Sequence, residues 1–509
     1  MPREKRGSSA WRAILLLAAL VVAAGCTSNN GGSEAEGSEG NASNPPASDS
    51  VNGSGAQQGE GAAGKNVTVS MMNTYFSETA PSDEGEVVRS IEQFSKAELD
   101  ITWVPQNVYA ERLNVTMASG DMPQVLMVDN PFHTSILNGV RSGMFWELDG
   151  YLDEFPNLQT FDPALTANLQ IEGKTYVIPR PRPLVRNGLI IRKDWLDNVG
   201  MELPRTIDDF YELLVAFKDD DPDGNGQDDT YGMMLYEGSI PRDIFSWFGA
   251  PNNWKLEDGA FVKDIETAEF REGLRFVRRL YKEGLINADF PVVVRNEARR
   301  DLYNDRVGVS MEALDAVVPF YYFQMNTTGN RFELVAGHPV EGKANATSGH
   351  YGGAMIPKTS VRTEEELREV LRYFDTQRSA EATEQFRVLV TENETREDDA
   401  KFNIDDLKNI IVNEVAMYPP GDSELNQMLR ARMEEHADVS VADPSLGLLS
   451  PTQIEQGQQL NELLSDAIVQ FVLGEIDEGG LDTAVEQWRS RGGGKVAEEL
   501  AALYGEQRS

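Results

Sequence analysis

The sequence predicts an α/β protein. Two observations lead there. Short β-branched runs alternate with segments of helical apolar periodicity from Lys65 onward, and helix-start signals recur along the chain. With 509 residues, 40% of them apolar and 8% aromatic, the chain is long enough to bury a large core.

The elements read in order. Val67 to Met72 is strand-like, and Asp83 to Glu98 is helical, with Val87, Val88, Ile91 and Phe94 on one face. Ile101 to Val104 is a second strand, Tyr109 to Ser119 a second helix, and Val125 to Val128 a third strand. This β-α-β-α-β order predicts right-handed crossovers and a largely parallel sheet covered by helices. Capping boxes at Thr206–Asp209 and Thr363–Glu366 open further helices, and Ser450-Pro451 opens a long one towards Phe471. Ligands of open α/β sheets bind beyond the carboxyl ends of the strands. Asn73 and Tyr75 end the first strand and Asp129 and Asn130 the third, so all are candidate contacts. Asn73 and Asn130 serve equally well as turn formers or helix caps.

Charge and composition exclude several classes. Lys plus Arg number 46 against 83 Asp plus Glu, a formal charge of −37. Such a surface repels phosphate, which argues against nucleic-acid binding and against a polybasic membrane-surface protein. One cysteine and four histidines leave no disulfide framework and no Cys-rich zinc site.

That cysteine sits at a processing signal. Arg3, Lys5, Arg6 and Arg12 precede an apolar stretch from Ala13 to Ala24, short for a membrane span and suited to a signal-peptide core. Ala23-Ala24-Gly25-Cys26 resembles the bacterial lipobox, with Ala23 where Leu is usual, so Cys26 is expected to be acylated and to become the first residue. The alternative is ordinary secretory cleavage nearby. Residues 27–64 are low-complexity, with five acids and no Lys, Arg or aromatic residue. They form a tether of about 35 Å root-mean-square span. Removing residues 1–25 takes away four cations and Glu4, moving −37 to −40. An acidic body is repelled by an anionic bilayer, so the lipid does the anchoring.

Several runs carry a family resemblance. They are ERLNVTMASGDMPQVLMVDN from Glu111, EGKTYVIPRPRP from Glu172, LIIRKDWLDNVGMELPRTIDDFYELLVAFK from Leu189, DPDGNGQDDTYG from Asp221, LYKEGLINADF from Leu280 and VEQWRSRGGGKVAEELAALY from Val485. In this order, over residues 66–504, the chain resembles the family 1 extracellular solute-binding lipoproteins. These are the substrate-capturing components of ABC importers, a branch that mostly serves oligosaccharides in Gram-positive bacteria. The resemblance implies a two-lobed type II periplasmic-binding-protein fold with mixed, mainly parallel sheets and three passages between lobes. These are expected near Pro181–Gly188, Asn304–Glu312 and Gly349–Gly353, where Pro, Gly and polar residues interrupt the periodicity. The organisation is then a signal peptide (1–25), a lipidated tether (26–64), an N-terminal lobe (65–185 plus 308–348) and a C-terminal lobe (186–307 plus 349–509).

The sharpest local motif is Asp221 to Thr230. Oxygen-bearing side chains at positions one, three and five, with Gly226 at six, match the first half of an EF-hand loop. Asp221, Asp223, Asn225, Gln227 (through its carbonyl) and Asp229 supply oxygens for a structural calcium ion (Ca2+). Position twelve is Gly232, which excludes a complete EF-hand. Similar loops in the family take ligands from positions nine and ten, and here ten is Thr230, not an acid. The alternative is an acidic turn without metal.

Sugar sites stack pyranose faces on aromatic rings and take hydroxyls with fork-like polar groups. Tyr75, Trp247, Trp254 and Tyr351 are the candidate platforms, with Tyr321 and Tyr322 near a passage. Core packing is the competing role for each. Glu312 is placed to accept hydroxyls. Arg180, Arg182 and Arg186 either hold an acidic sugar or neutralise carboxylates at the hinge, and Arg182 is the candidate ligand contact. No catalytic constellation stands out. Gly173-Lys174-Thr175 lacks the earlier glycine of a phosphate loop, the histidines are scattered, and no covalent chemistry is expected. The expected function is capture of an oligosaccharide at the outer face of the cell membrane by a lipid-anchored monomer that passes it to an ABC permease. Alternatives are a peptide or other small-solute receptor, an extracellular carbohydrate-active enzyme, or an adhesin.

Overall fold

The computed structural model describes residues 67–506, except 77–79, 318–328, 330–331, 395, 397–403, 414, 416, 417, 420 and 422. The signal peptide, Cys26 and the tether, and Tyr321 and Tyr322, lie outside the described residues.

The first lobe begins with β1 (Val67–Tyr75), α1 (Glu86–Ser95), β2 (Ala97–Pro105), α2 (Gln106–Ser119) and β3 (Val125–Val128). Helix α1 buries Val87, Val88 and Ile91, the face its periodicity predicts, and stops where Lys96 turns left-handed. Gly120 ends α2 in the same conformation at φ 74°, as a residue without Cβ can. Strand β1 pairs in parallel with β2 along its whole length and with β3 through Met71 and Met72. Helices α3 (Thr134–Arg141) and α4 (Pro163–Asn168) follow, then β4 (Ile178–Pro181).

The second lobe is laid down next. It comprises β5 (Asn187–Arg192), α5 (Lys193–Val199), α6 (Ile207–Asp219), β6 (Tyr231–Met233) and α7 (Arg242–Trp247), then the hairpin β7 (Trp254–Glu257) and β8 (Ala260–Lys263). After it come α8 (Ala268–Lys282), α9 (Arg295–Tyr303), β9 (Val307–Ala313), β10 (Leu334–Ala336) and β11 (Ala344–Asn345). The capping box of α6 forms as expected: the Thr206 side chain accepts from the Asp209 amide, and Asp209 accepts from the Thr206 amide. The second sheet has the order β10-β5-β9-β6, with β6 parallel to β9 and the other neighbours antiparallel.

Strand β12 (His350–Met355) then enters the first sheet, whose order is β2-β1-β3-β12-β4, antiparallel to both its neighbours. Two glycines make that possible. A Cβ on Gly352, at φ 62°, would lie 1.8 Å from the Val128 carbonyl oxygen, and one on Gly353 would lie 2.1 Å from that of Ile178. Helices α10 (Glu364–Gln377), α11 (Ala380–Glu394) and α12 (Ile404–Ile410) complete this lobe, packing Leu367, Phe374, Phe386 and Leu407 into the core that holds Val69 and Ile101. The chain finishes on the second lobe with α13 (Glu424–Asp438), β13 (Ser440–Val441), α14 (Pro451–Leu473), α15 (Glu478–Trp488) and α16 (Gly494–Glu506). The N-cap Ser450 with Pro451 opens α14, and Leu460, Phe471 and Trp488 join the core built by Phe210 and Phe217.

This topology corrects the expected boundaries. The chain leaves the first sheet after Pro181 and returns at His350, and the helix from Glu424 packs on the second sheet. Residues 307–313 and 334–336 belong to the second sheet, because β9 and β10 both pair with β5, so these strands of the expected 308–348 segment are not part of the first lobe. The described residues of 350–413 belong to the first lobe and not the second. The expected passage at Asn304–Glu312 is the strand β9, with no change of lobe. Among the described residues, no helix is long and apolar enough to cross a membrane.

Candidate functional site

Both sheets deliver the carboxyl ends of their parallel strands to one junction. Asn409, in α12, accepts through its carbonyl a 2.7 Å hydrogen bond from the Asn73 amide at the end of β1. The adjacent Lys408 donates to the carbonyl of Asp315, just past β9. One short helix thus ties the strand ends of the first lobe to those of the second.

On the first lobe the strand ends gather Tyr75, Asp129, Arg180, His350 and Tyr351. Arg180 is fully buried and fully engaged: Nη2 donates to Asp129 at 2.7 Å, and Nε donates to the Tyr351 carbonyl at 2.9 Å. Its guanidinium lies 4.7 Å from the centre of the Tyr351 ring, under one face. Phe76 meets the same ring edge-on at 5.9 Å. Burial, with the Asp129 carboxylate nearby, raises the pKa of the half-buried Tyr351 phenol. The Asp129 side chain remains 22% exposed. Burial raises its pKa above the ordinary aspartate value, more than Arg180 and the hydrogen bonds lower it. His350 accepts from the Gly352 amide through Nδ1 at 3.1 Å, so that nitrogen carries no proton. Burial, with Arg180 nearby, pushes the imidazole down to about 4.

On the second lobe the ends of β6 and β9 bring Tyr236 and Glu312 near one another. Both Glu312 oxygens accept from Arg299, at 2.9 and 2.7 Å, in a buried bidentate pair. Arg295 lies 4.9 Å from the centre of the Tyr236 ring. Between the lobes, Asp315 is buried and accepts two 2.8 Å bonds from Arg186. Burial raises its pKa, but Lys408, Arg186 and Arg182 together hold it below the usual aspartate value.

The expected site residues therefore separate. Tyr75, Asp129 and Tyr351 stand together at the strand ends. Asn73 is there too, but wholly buried, its oxygen accepting from the Thr74 amide and its nitrogen donating to Asn409. Asn130 caps a turn, accepting from the Phe132 amide at 3.1 Å. Arg182 is buried, donating to the carbonyls of Pro181 and Lys408. Glu312 is at the second lobe's strand end, committed to Arg299. Trp247 and Trp254 are corrected: both are buried in the second lobe's core. Trp247 packs edge-on against Phe210 at 5.0 Å, and Trp254 lies between Phe261 of its own hairpin and Trp488, so both rings are taken up by core packing. Sequence reading passed over Tyr236. Its position two residues beyond the β-rich Met233-Met234 stretch was the available signal.

The Asp221–Asp229 loop is exposed. Its turn uses left-handed Asp221, Gly224 and Gly226. The carboxylate of Asp221 accepts from the Asn225 and Gly226 amides, and the Asn225 amide nitrogen reaches Asp223 at 2.7 Å and Asp229 at 3.2 Å. Burial and the neighbouring Asp221 and Asp229 raise the pKa of Asp223, as the crowding of acids dictates. The donors are the hard oxygens calcium prefers. Among the described residues, though, no three His, Cys, Asp or Glu side chains are grouped closely enough to hold a metal.

Known proteins share this architecture and sequence. The chain is 33% identical over 475 residues to lipoprotein LipO of Bacillus subtilis (strain 168), covering 87% of this chain and 93% of that protein. It is 32% identical over 473 residues to the polygalacturonan/rhamnogalacturonan-binding protein YtcQ of the same organism, with the same coverage. Among solved structures, the Streptococcus pneumoniae ABC-transporter substrate-binding protein FusA, as an EF-hand mutant with fructo-nystose, superposes with a TM-score of 0.60. It shares 19% identity and covers 87% of this chain and 99% of FusA, a likeness of fold. The family model for bacterial extracellular solute-binding proteins matches residues 80–384, and on that match and on the LipO and YtcQ likenesses the chain belongs to this family.

Proposed function

We propose that this protein captures an oligosaccharide between its lobes and delivers it to the permease of an ABC importer. The observation that carries the reading is the junction itself. The strand ends of both sheets converge there and present the half-buried Tyr351 ring beside the partly exposed Asp129 carboxylate. A tyrosine face suits the apolar C–H face of a sugar ring, and a carboxylate accepts two of its hydroxyls. The names of the relatives support the sugar class: one binds polygalacturonan and rhamnogalacturonan, and another is a fructooligosaccharide transporter component. Asp129, Tyr351 and Tyr75 are the proposed contacts on the first lobe, and Tyr236 the contact on the second. Asn73, Arg182 and Glu312 hold these surfaces in place. The chain acts by binding and closure, without covalent chemistry.

Cys26 carries the lipid, so the body works as a tethered monomer on the outer face of the membrane. The Asp221–Asp229 loop takes one calcium ion that stiffens it away from the site. Support comes from its oxygen spacing and from the EF-hand named in the FusA structure. The test is thermal unfolding of the tether-free chain against neutral and acidic oligosaccharides and against peptides, with calcium or with chelator. A saturable rise in Tm with an oligosaccharide recovered unchanged is expected, growing as RT ln(1 + [L]/Kd). A response to peptides alone overturns the sugar assignment, and recovery of a cleaved sugar overturns the binding role. A Tm indifferent to chelator overturns the calcium site.

A further inference from the structure

A cavity of about 480 Å³ opens in the second lobe beside residues 346–348, the stretch by which the chain returns to the first lobe. It shares no residue with the strand-end cluster. Its charged groups compensate one another. Arg242 pairs with Asp264, the Lys263 ammonium reaches the Asn253 carbonyl at 3.1 Å and Asp264 at 3.4 Å, and the Asn253 amide donates to Asp443 at 2.9 Å. An ionic ligand would have to displace one of these partners, and among the described residues the cavity offers it no unpaired counter-charge.

What is left for a ligand is uncharged. Asn461 and Ser465 stand one turn apart on α14, line the cavity, and make no side-chain hydrogen bond among the described residues. Leu464 and Ile468 on the same helix, with Phe270 on α8, add apolar side chains to the lining. An amide and a hydroxyl beside hydrocarbon match the two kinds of surface a sugar ring presents.

The cavity also touches the strand-end site through the chain. Ser348 lines it, and the Ser348 hydroxyl donates to the His350 carbonyl at 3.2 Å. Ser348 and Tyr351 are three residues apart, at most about 10 Å of extended backbone. An oligosaccharide that lies against Tyr351 is long enough to reach the cavity. We propose that the cavity is a second subsite, taking an uncharged glycosyl unit of the same oligosaccharide that lies against Tyr351. This rests on the oligosaccharide reading given above, and adds to it a preference for longer ligands.

The test is calorimetry on the whole tether-free chain with neutral fructo- and xylo-oligosaccharides of two to six units, alongside oligogalacturonides of the same lengths. Ser465→Trp fills the cavity from an exposed helix position, and Asn461→Ala removes its free amide. Affinity of the unsubstituted protein for a neutral series should rise with length. Ser465→Trp should then lose tenfold or more for the longer members and less than twofold for the disaccharide, and Asn461→Ala should lose severalfold for the longer members alone. Equal loss at every length, no loss at any length, or loss confined to the oligogalacturonides overturns the subsite and leaves sugar capture standing. Failure of the unsubstituted protein to bind any of these sugars overturns both. Should Ser465→Trp not fold, Asn461→Ala decides the question by the same dependence on length.

Discussion

Lys408, in the last helix of the first lobe, donates its ammonium proton to the backbone carbonyl of Asp315, which caps the central strand of the second. The Asp315 carboxylate meanwhile accepts both arms of Arg186, on the first stretch of chain to run between the lobes. Three segments distant in sequence are therefore pinned at one buried point.

Removing one partner of such a group leaves an uncompensated buried charge. Asp315→Asn is expected to lower stability by about 3–5 kcal/mol, read by chemical denaturation at pH 7. The pKa of Asp315 is depressed in the folded state, so its contribution is complete above the ordinary aspartate value and fades as the pH falls through the lower folded value. The gap between the two proteins should therefore stay constant above pH ~4 and narrow only below it. A gap that closes near neutrality would point to another group.

Tyr351 should matter for ligand more than for folding. Tyr351→Ala is expected to weaken oligosaccharide binding about tenfold, or about 1.4 kcal/mol, by titration calorimetry. Tyr351→Phe keeps the ring over Arg180 and should retain most of the affinity. Asp129→Asn should weaken binding at pH 7. The unsubstituted protein is expected to lose affinity on acidification, starting above the ordinary aspartate pKa because burial raises that of Asp129, and Asp129→Asn should abolish that loss.

The two buried tryptophans make the opposite prediction. Trp247→Ala and Trp254→Ala should each cost about 3–5 kcal/mol of stability through the cavity left in the second lobe. Trp247→Phe and Trp254→Phe, which keep most of the packing, should bind sugar with unchanged Kd. A tenfold loss of affinity in either Phe variant, with Tm preserved, would mean that the ring meets ligand after all.

His350 supplies a pH signature of its own. Its folded pKa of about 4 lies below the unfolded value of 6.5, so the unfolded chain binds more protons between those two pH values. Stability is then complete above about pH 6.5 and drains as the pH falls towards 4, by up to about 3 kcal/mol. His350→Gln should flatten the stability profile in that window, followed by urea unfolding at half-unit steps. An unchanged slope would place the loss elsewhere.

Much of the fold was legible because local signals and tertiary structure agree. Val87, Val88 and Ile91 face inward as their spacing demands, and the boxes at Thr206 and Thr363 cap helices where they stand. The lobe boundaries were not legible. The segment His350–Met355 reads as a glycine-broken hinge, yet it is a central strand, and only the close carbonyls of Val128 and Ile178 explain why glycine is needed there. The site was half legible for a related reason. Strand ends follow from local sequence, so Tyr75 and Asp129 could be chosen, whereas whether Trp254 meets solvent depends on Trp488, more than two hundred residues away. Arg180 and Arg186 follow the carboxylates they neutralise, partners that no spacing reveals.

The insertion of β12 between β3 and β4 has a consequence for how the protein is made. During synthesis β4 emerges early, but its sheet neighbour ends at residue 355 of 509, and the helix that fastens β1 ends at residue 410. Until then the nascent chain carries an exposed edge on β3 and an unpartnered β4, the features that draw strands of other chains together. Neither lobe can be cut out as one continuous fragment, and a product truncated near residue 340 would hold an open first sheet, fit for proteolysis or aggregation. The chain is thus expected to complete both halves late and almost together, from a polypeptide released nearly entire.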